Sequence, residues 1–548
     1  MTRPRRTVIV GGVAAGMSAA TRLRRLDEHM EILVLERGAH VSFANCGLPY
    51  HVSGVIPDRA DLLLQTPESL RARFALDVRT GHEVTRIDRD AREVHVLDRI
   101  TRETRVEPYD SLVLATGASP VRPQIPGAER AHTLRDVADL DAIMTSLDAP
   151  TRPRTAVIVG GGFIGLELAE NFHHAGLAVT VVEATDQVLA PLDPELSALV
   201  QERLELHGVT VRTGATVVEI GSDDVALAGG ALVRADLVVL AVGVRPESGL
   251  ARAAGLELTA QGAVVVDASQ RTSDPAIFAV GDVAAKRDAV SGDEVMVPLA
   301  QTANRHGRLV ADAITGRSVA ATPTLGTAVV GVLGLTAAVT GWNEKRLRAV
   351  GRPYRAIHTH PAHHAGYYPG AEPMALKLLV DPISDEILGA QGVGGAGVDK
   401  RIDVIATAMR GGLRASELAN LELAYAPQFG SAKDPVTMLG MIADNLAAGL
   451  TATVQWHEVA RELDDGAFML DVRSAEEFAG GSLPKAVNIP LDELRARHDE
   501  VPAGRVVVTC AVGQRGHTSA MLLRQLGHPD VANLDGGYRT WLAAPEVH

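Results

Sequence analysis

Two widely separated stretches repeat one pattern: an apolar run, a glycine-rich turn, a helical segment, a second apolar run and a closing acid. In the first, residues 7–10 (TVIV) lead into Gly11, Gly12 and Gly16, residues 17–26 read as a helix, and residues 31–36 (EILVLE) end in Glu36. In the second, residues 156–159 lead into Gly160, Gly162 and Gly165, and residues 178–183 end in Glu183. Each is a βαβ unit for a dinucleotide: glycines let backbone NH groups approach a pyrophosphate, the helix N-terminus offsets its charge, and the acid meets a ribose hydroxyl. The first departs from the usual pattern, with Val13 in place of the middle glycine, while the second is complete. Two such units in one chain confine it to α/β architecture.

The chain has 548 residues, too many for one core, so roughly three to five domains are expected. A net charge of -14 gives no general attraction to nucleic acid. Two cysteines, Cys46 and Cys510, make no disulfide framework, which favours a reducing cytoplasm. The basic start, residues 1–6, precedes an apolar run as in a signal peptide, but Gly11, Gly12 and Gly16 interrupt that run, which argues against one. Residues 318–343 lack charge for the length of a membrane span. Gly326, Gly331, Gly334 and Gly341 among many Val and Thr predict two buried strands with turns instead.

Between the first unit and the rest lies residues 42–50 (SFANCGLPY). A thiol reacts as thiolate, so a working Cys46 needs surroundings that lower its pKa. The plainer reading is a buried apolar cysteine beside Phe43 and Leu48. These nine residues resemble the active-site segment of coenzyme A-disulfide reductases, in which a single cysteine cycles through a mixed disulfide with coenzyme A. Disulfide-reducing flavoenzymes usually carry a Cys-x4-Cys pair here. With no partner thiol near Cys46, the second sulfur has to come from outside.

That resemblance implies FAD, NADH as the reductant with NADPH second, and coenzyme A as substrate. Residues 109–118, a strand into a Thr-Gly turn, and residues 272–282, ending in Gly281 and Asp282, resemble the segments that complete an FAD domain, with Asp282 on the ribityl chain. The implied FAD contacts are Gly11, Gly12, Ala14, Ala15, Gly16, Glu36, Arg37, Ser42, Asn45, Thr116, Gly117, Gly281, Asp282 and Ala300. Those implied for the nicotinamide nucleotide are Gly160, Gly162, Phe163, Ile164, Gly165, Glu183 and Gly243. Glu183 would repel a 2'-phosphate and residues 184–189 contain no arginine, so NADH is expected to be preferred.

From residue 325 onward the resemblance implies an interface domain of a homodimer, whose segments 365–370 and 424–435 reach the partner's reactive cysteine. Tyr367 and Tyr425 match the two tyrosines associated with coenzyme A reduction. A phenol of pKa near 10 can protonate a departing thiolate or hold it by a hydrogen bond; both could also be core aromatics, as could Tyr368. Arg22 and Arg25, one helical turn apart, are candidates for the coenzyme A phosphates. Ser18, Ser42, Asn45, Arg73, Asn304 and Lys433 stand at or near family substrate positions. Arg73 is out of register by one residue, and Asn304 stands where some relatives carry histidine.

The last ninety or so residues resemble a rhodanese domain. Cys510 ends an apolar run and opens the loop to Arg515; the Cys-x4-Arg spacing suits sulfur transfer, whereas related phosphatases use one residue more. Ser482 and Lys485 replace a histidine and a glycine common in relatives. The expected fold is therefore α/β, with two Rossmann-like FAD- and NAD(P)H-binding domains, an α+β dimerisation domain and a C-terminal α/β rhodanese domain. The expected boundaries are 1–120 and 246–324 for FAD, 121–245 for NAD(P)H, 325–446 for dimerisation, 447–455 for a linker and 456–548 for rhodanese. The expected activity is NADH-driven reduction of coenzyme A disulfide, coenzyme A persulfide or polysulfide through Cys46, with Cys510 as sulfurtransferase, in a cytoplasmic protein without membrane or nucleic-acid partners. The rivals are an NADH oxidase or peroxidase working through a sulfenic acid on Cys46, and a redox-sensing or sulfur-trafficking protein with structural FAD.

Overall fold

The computed structural model describes residues 4–545; the first three residues of the basic start and the last three of the chain lie outside it. The chain forms two compact units, one of residues up to 184 with 208–326, the other of 185–207 with 327 onward.

In the first unit, strands Ile277–Ala279, Ser111–Leu114, Arg6–Val10, Glu31–Glu36 and Asp77–Thr80 lie in that order in a parallel sheet. Their near-continuous Val, Ile and Leu follow from burial on both faces, each covered by its own apolar core. Helix Ala14–Leu26 packs on one face against helix Ala300–Ile314, so the FAD-type sheet is completed by chain from either side of an insert. The insert repeats the design: strands Thr210–Arg212, Ala178–Val182, Thr155–Val159 and Leu237–Leu240 form a second parallel sheet. Where the chain leaves for the insert and returns, Ala118–Pro120 pairs antiparallel with Val244–Pro246.

The second unit holds two sheets. Strands Ala328–Val332, Leu335–Gly341, Ile387–Gly394, Met374–Val380 and Arg355–Thr359 form an antiparallel sheet, with helices Val398–Gly411 and Pro435–Ala447 sharing its core. The first two are the strands predicted in the uncharged stretch, and among the described residues no helix is long and apolar enough to cross a membrane. Helix Pro194–Leu206, which lies within the insert by sequence, belongs to this unit. It is anchored by fully buried Lys377, whose Nζ lies 2.9 Å from Asp193, 2.5 Å from Glu195 and 2.9 Å from Glu344. Burial alone would lower the lysine pKa; Glu195, Asp193 and Glu344 together push it well above its ordinary value.

The remaining sheet is parallel, in the order Ala452–Val454, Val531–Leu534, Val506–Thr509, Phe468–Asp471, Val487–Asn488. Its first strand comes from residues read as linker. A segment of small residues and threonine carries little sequence signal for an edge strand, and pairing with Val531–Leu534 supplies its hydrogen bonds.

Candidate active site

Gly11 turns the chain between strand Arg6–Val10 and helix Ala14–Leu26 at φ +106°, and a Cβ there would stand 2.2 Å from the carbonyl oxygen of Ala115. Only glycine fits. The helix then begins without a side-chain cap, because Val13 has no acceptor to offer, and helix Phe163–His174 likewise begins at Gly162 without one. First-turn NH groups left without partners are what an anionic ligand satisfies. Gly16 and Gly165 admit the turn backbone in both units, since a Cβ at either would stand within 2.0 Å of the carbonyl oxygen of Gly11 or Gly160.

The closing acids are fixed by the turns they follow. Glu36 accepts from the NH of Gly12 (2.8 Å) and of Gly38 (2.7 Å), and Glu183 accepts from the NH of Gly161 (2.7 Å). In the first unit these groups wall a cleft of about 680 Å³ that Gly11, Ala14, Ala15, Glu36, Arg37, Asn45, Thr116, Gly117, Gly281 and Asp282 line together. Asp282 has a buried Oδ1 with no hydrogen-bond partner, and burial pushes its pKa up against the opposing charges of Lys286 and Arg135. An uncapped helix, a glycine turn and an orphaned carboxylate oxygen fit the pyrophosphate and polyol of a flavin dinucleotide. Ala300 opens helix Ala300–Ile314, whereas Gly243, at φ +103°, and half-exposed Ile164 lie on the insert.

Cys46 sits in a single 3₁₀ turn, Asn45–Gly47, whose first residue lines the same cleft. Ser42, at φ +49°, begins the approach, and the NH of Ala44 donates to Leu62 and that of Leu64 to Ser42 (2.8 and 3.2 Å), holding the turn against a neighbouring segment. Solvent reaches Cys46, so the plain core-cysteine reading does not hold. The protein groups around Cys46 do not supply the lowered pKa that a working thiol needs. Partial burial of the thiol pushes it up first, and the charges of Glu167 and Asp282 push it further. The chain's own groups around Cys46 therefore disfavour its thiolate.

Glu167 and Tyr50 were missed from sequence. Glu167, on helix Phe163–His174, accepts from the Tyr50 hydroxyl at 3.0 Å, and burial raises the pKa of both. The signal was an acid on an otherwise apolar helical segment, read only for its glycines. Lys286 was missed as well: it is buried, donates to the carbonyls of Gly281 and Ala284, and is lowered by burial to about 8.

Arg22, read as one half of a phosphate clamp with Arg25, instead pairs with Asp312 on helix Ala300–Ile314 at 2.8 Å. Arg25 and Arg73 are exposed. Ser18 donates to Asn304, whose amide donates to Ala300 at 3.0 Å, so these two meet on facing helices.

In the second unit Tyr367 and Tyr425 are 77% and 50% exposed, and their hydroxyls lie 3.1 Å apart. That hydrogen bond raises the pKa of Tyr367. Neither is a core aromatic. Tyr368 is exposed too and packs edge-on against His364, and Lys433 is exposed.

Cys510 is fully buried at the end of strand Val506–Thr509, and the NH of Gly513 points at its sulfur from 3.1 Å. The loop is seated on a double-glycine turn. A Cβ on Gly537 would come within 2.8 Å of Cys510, Val512 and Gly513, and the NH groups of Tyr538 and Arg539 donate to the carbonyls of Cys510 and Ala511 (2.7 and 3.0 Å). Arg515 is held by both oxygens of Glu477 at 2.7 Å, and that pair keeps the Glu477 carboxyl down at about 2.

Residues 5–307 match the pyridine nucleotide-disulphide oxidoreductase family, 327–435 its dimerisation domain and 455–544 the rhodanese-like domain. The chain belongs to the pyridine nucleotide-disulphide oxidoreductase family. A coenzyme A disulfide reductase of Staphylococcus epidermidis is 32% identical over 434 residues, 79% of this chain and 98% of that protein. The crystal structure of reduced CoADR-RHD from Bacillus anthracis is 45% identical with a TM-score of 0.97, covering 99% of both chains. A NAD-dependent persulfide reductase from A. fulgidus is 37% identical with a TM-score of 0.92, over 98% of this chain and 100% of that one. The water-forming NADH oxidase of Lactobacillus brevis is 25% identical over 81% of this chain and 99% of its own, with a TM-score of 0.78. Like other pyridine nucleotide-disulphide oxidoreductases, this chain is an FAD- and NAD(P)H-dependent enzyme, here carrying a rhodanese domain.

Proposed function

We propose that this oxidoreductase reduces coenzyme A disulfide, coenzyme A persulfide or polysulfide through Cys46, and that its rhodanese domain handles sulfane sulfur at Cys510. The observation that carries the reading is an exposed thiol directly after Asn45, which lines the flavin-type cleft, in a chain whose other thiol is buried at the start of a loop that points an NH at its sulfur. Bound FAD and NADH supply two electrons per sulfur–sulfur bond. The Cys46 thiolate attacks one sulfur of the substrate, that bond breaks, and the leaving thiolate departs with the electron pair, to be protonated by a phenol. Tyr367 and Tyr425 have the exposure and the mutual hydrogen bond for that role if the enzyme is a homodimer and they reach the partner's Cys46.

Gly11, Gly12, Ala14, Glu36, Thr116 and Asp282 would hold FAD; Gly160, Gly162, Gly165 and Glu183 would hold NADH, with Glu183 disfavouring NADPH. With Arg22 paired, Arg25, Arg73 and Lys433 are the exposed cations left for coenzyme A phosphates. At Cys510 the thiolate takes sulfur from a donor such as thiosulfate, forming a persulfide and releasing sulfite. The domain boundaries and a cytoplasmic location belong to the same reading.

Steady-state NADH consumption with coenzyme A persulfide, coenzyme A disulfide, oxygen and peroxide tests it. The sulfur acceptors are expected to be used faster, and a preference for peroxide or oxygen would replace the reading with the oxidase one. Mass spectrometry under non-reducing conditions is expected to show coenzyme A on Cys46 after exposure to its disulfide.

A further inference from the structure

The second unit contains a buried set of charges for which that chemistry has no use. His358, on strand Arg355–Thr359, is 4% exposed and faces a carboxylate on each ring nitrogen: Nδ1 is 2.6 Å from Asp535 and Nε2 is 3.0 Å from Glu195. Ionised carboxylates accept and do not donate, so both nitrogens carry hydrogen and the ring is an imidazolium. Asp535 also accepts from the His358 backbone NH (3.0 Å) and from Gln455 (3.2 Å), while Lys377 donates to the same Glu195 oxygen, Oε1, that His358 faces. Asp535 follows strand Val531–Leu534 directly and opens the turn that carries the Cys510 loop. A Cβ on Gly536 would stand 2.8 Å from the Cβ of His358, and Gly537 lies against the backbone of residues 510–513.

We infer that His358 is a positioning residue for the sulfurtransferase loop: clamped between Glu195 and Asp535, it fixes the 535–537 turn on which Cys510 is seated. The group that sets the loop thus lies outside the rhodanese domain, on the antiparallel sheet, with its counter-charge on helix Pro194–Leu206.

The charges around His358 fix the sign of its pH response. Asp535 and Glu195 face it directly, Lys377 lies behind Glu195 with Asp193 and Glu344, and His360, two residues on, is held neutral by burial and by Arg539. Burial alone would lower the His358 pKa, but Asp535 and then Glu195 raise it to about 9. A raised value means that the clamp is complete below the ordinary histidine value of 6.5 and is lost as pH rises through about 9.

The inference rests on reading Cys510 as a sulfur-carrying thiol, and its test separates the two. In the full-length enzyme, His358→Gln is expected to keep bound flavin and NADH-driven sulfur reduction. Its Cys510 should be alkylated by iodoacetamide faster, and its thiosulfate-to-cyanide sulfurtransfer kcat should fall, each on the order of tenfold. Wild-type sulfurtransfer should decline as pH passes about 9, and the variant should lack that limb. Unchanged Cys510 alkylation with the same pH limb in His358→Gln overturns the inference. If His358→Gln loses flavin, Asp535→Asn decides: selective loss of sulfurtransfer supports the inference, and loss of flavin there too overturns it, because the cluster then serves overall stability. A wild-type enzyme without sulfurtransfer would sink the reading of Cys510, and the alkylation rates would still decide the role of His358.

Discussion

The turn around Cys46 is reached by solvent and held by a few backbone hydrogen bonds to one neighbouring segment, while the loop around Cys510 is enclosed and seated on a glycine turn by contacts too close for any side chain. The thiol of Cys46 feels the charges of Glu167 and Asp282, which raise its pKa after burial does; the sulfur of Cys510 receives a backbone NH. The difference follows from what each thiol is asked to meet. A cysteine that must admit a long carrier stays open and leaves its activation to what binds, whereas one that holds a single sulfur atom can be built closed, with its donor already in place.

The comparison is broken most directly by removing each sulfur. Cys46→Ser should abolish NADH-linked sulfur reduction and spare thiosulfate sulfurtransfer, and Cys510→Ser should do the reverse, with flavin absorbance retained in both. Loss of both activities from either change would mean that the two settings are not independent.

Next in size is the support beneath the second thiol. Lys377→Met removes the charge between three buried carboxylates and should lower stability by about 3–5 kcal/mol, read by denaturant unfolding. Replacing either phenol, Tyr367→Phe or Tyr425→Phe, should slow sulfur reduction on the order of a hundredfold while leaving sulfurtransfer unchanged. The acidic setting of Cys46 is sharpened by Glu167→Gln. Because Glu167 raises the thiol pKa, its neutral replacement should move the pH profile of Cys46 alkylation to lower pH. The smallest effect is expected at Lys485, which sits at φ +58°, a left-handed conformation that favours glycine. Lys485→Gly should stabilise the chain by about 1 kcal/mol without changing either activity.

Both parallel sheets of the nucleotide-binding half were legible because glycine turns and closing acids leave a local signature: strand Glu31–Glu36 falls where its sequence put it. The loop of residues 510–515 was legible from its Cys-x4-Arg spacing after an apolar run. What escaped was settled by residues far apart in the chain. Glu167 meets Tyr50 from a distant segment, Arg22 looked like a phosphate-binding cation until Asp312 was found against it, and the charges around Lys377 come from segments nearly two hundred residues apart. The shift of the Cys46 pKa is likewise a matter of how far the fold buries the thiol and then of the charges of Glu167 and Asp282, which spacing cannot express.

Helix Pro194–Leu206 gives the chain an unusual weave. The polypeptide passes from one unit to the other at residue 185, back at 208 and across again at 327, so no single cut releases an intact C-terminal half. A fragment starting at residue 327 would inherit Lys377 and His358 without Asp193 and Glu195, leaving Glu344 and Asp535 as their nearest carboxylates. The C-terminal segment, taken with the sheet that carries it, is thus a borrower of charge from a helix that precedes it, and it is complete only in a chain that also carries residues 185–207.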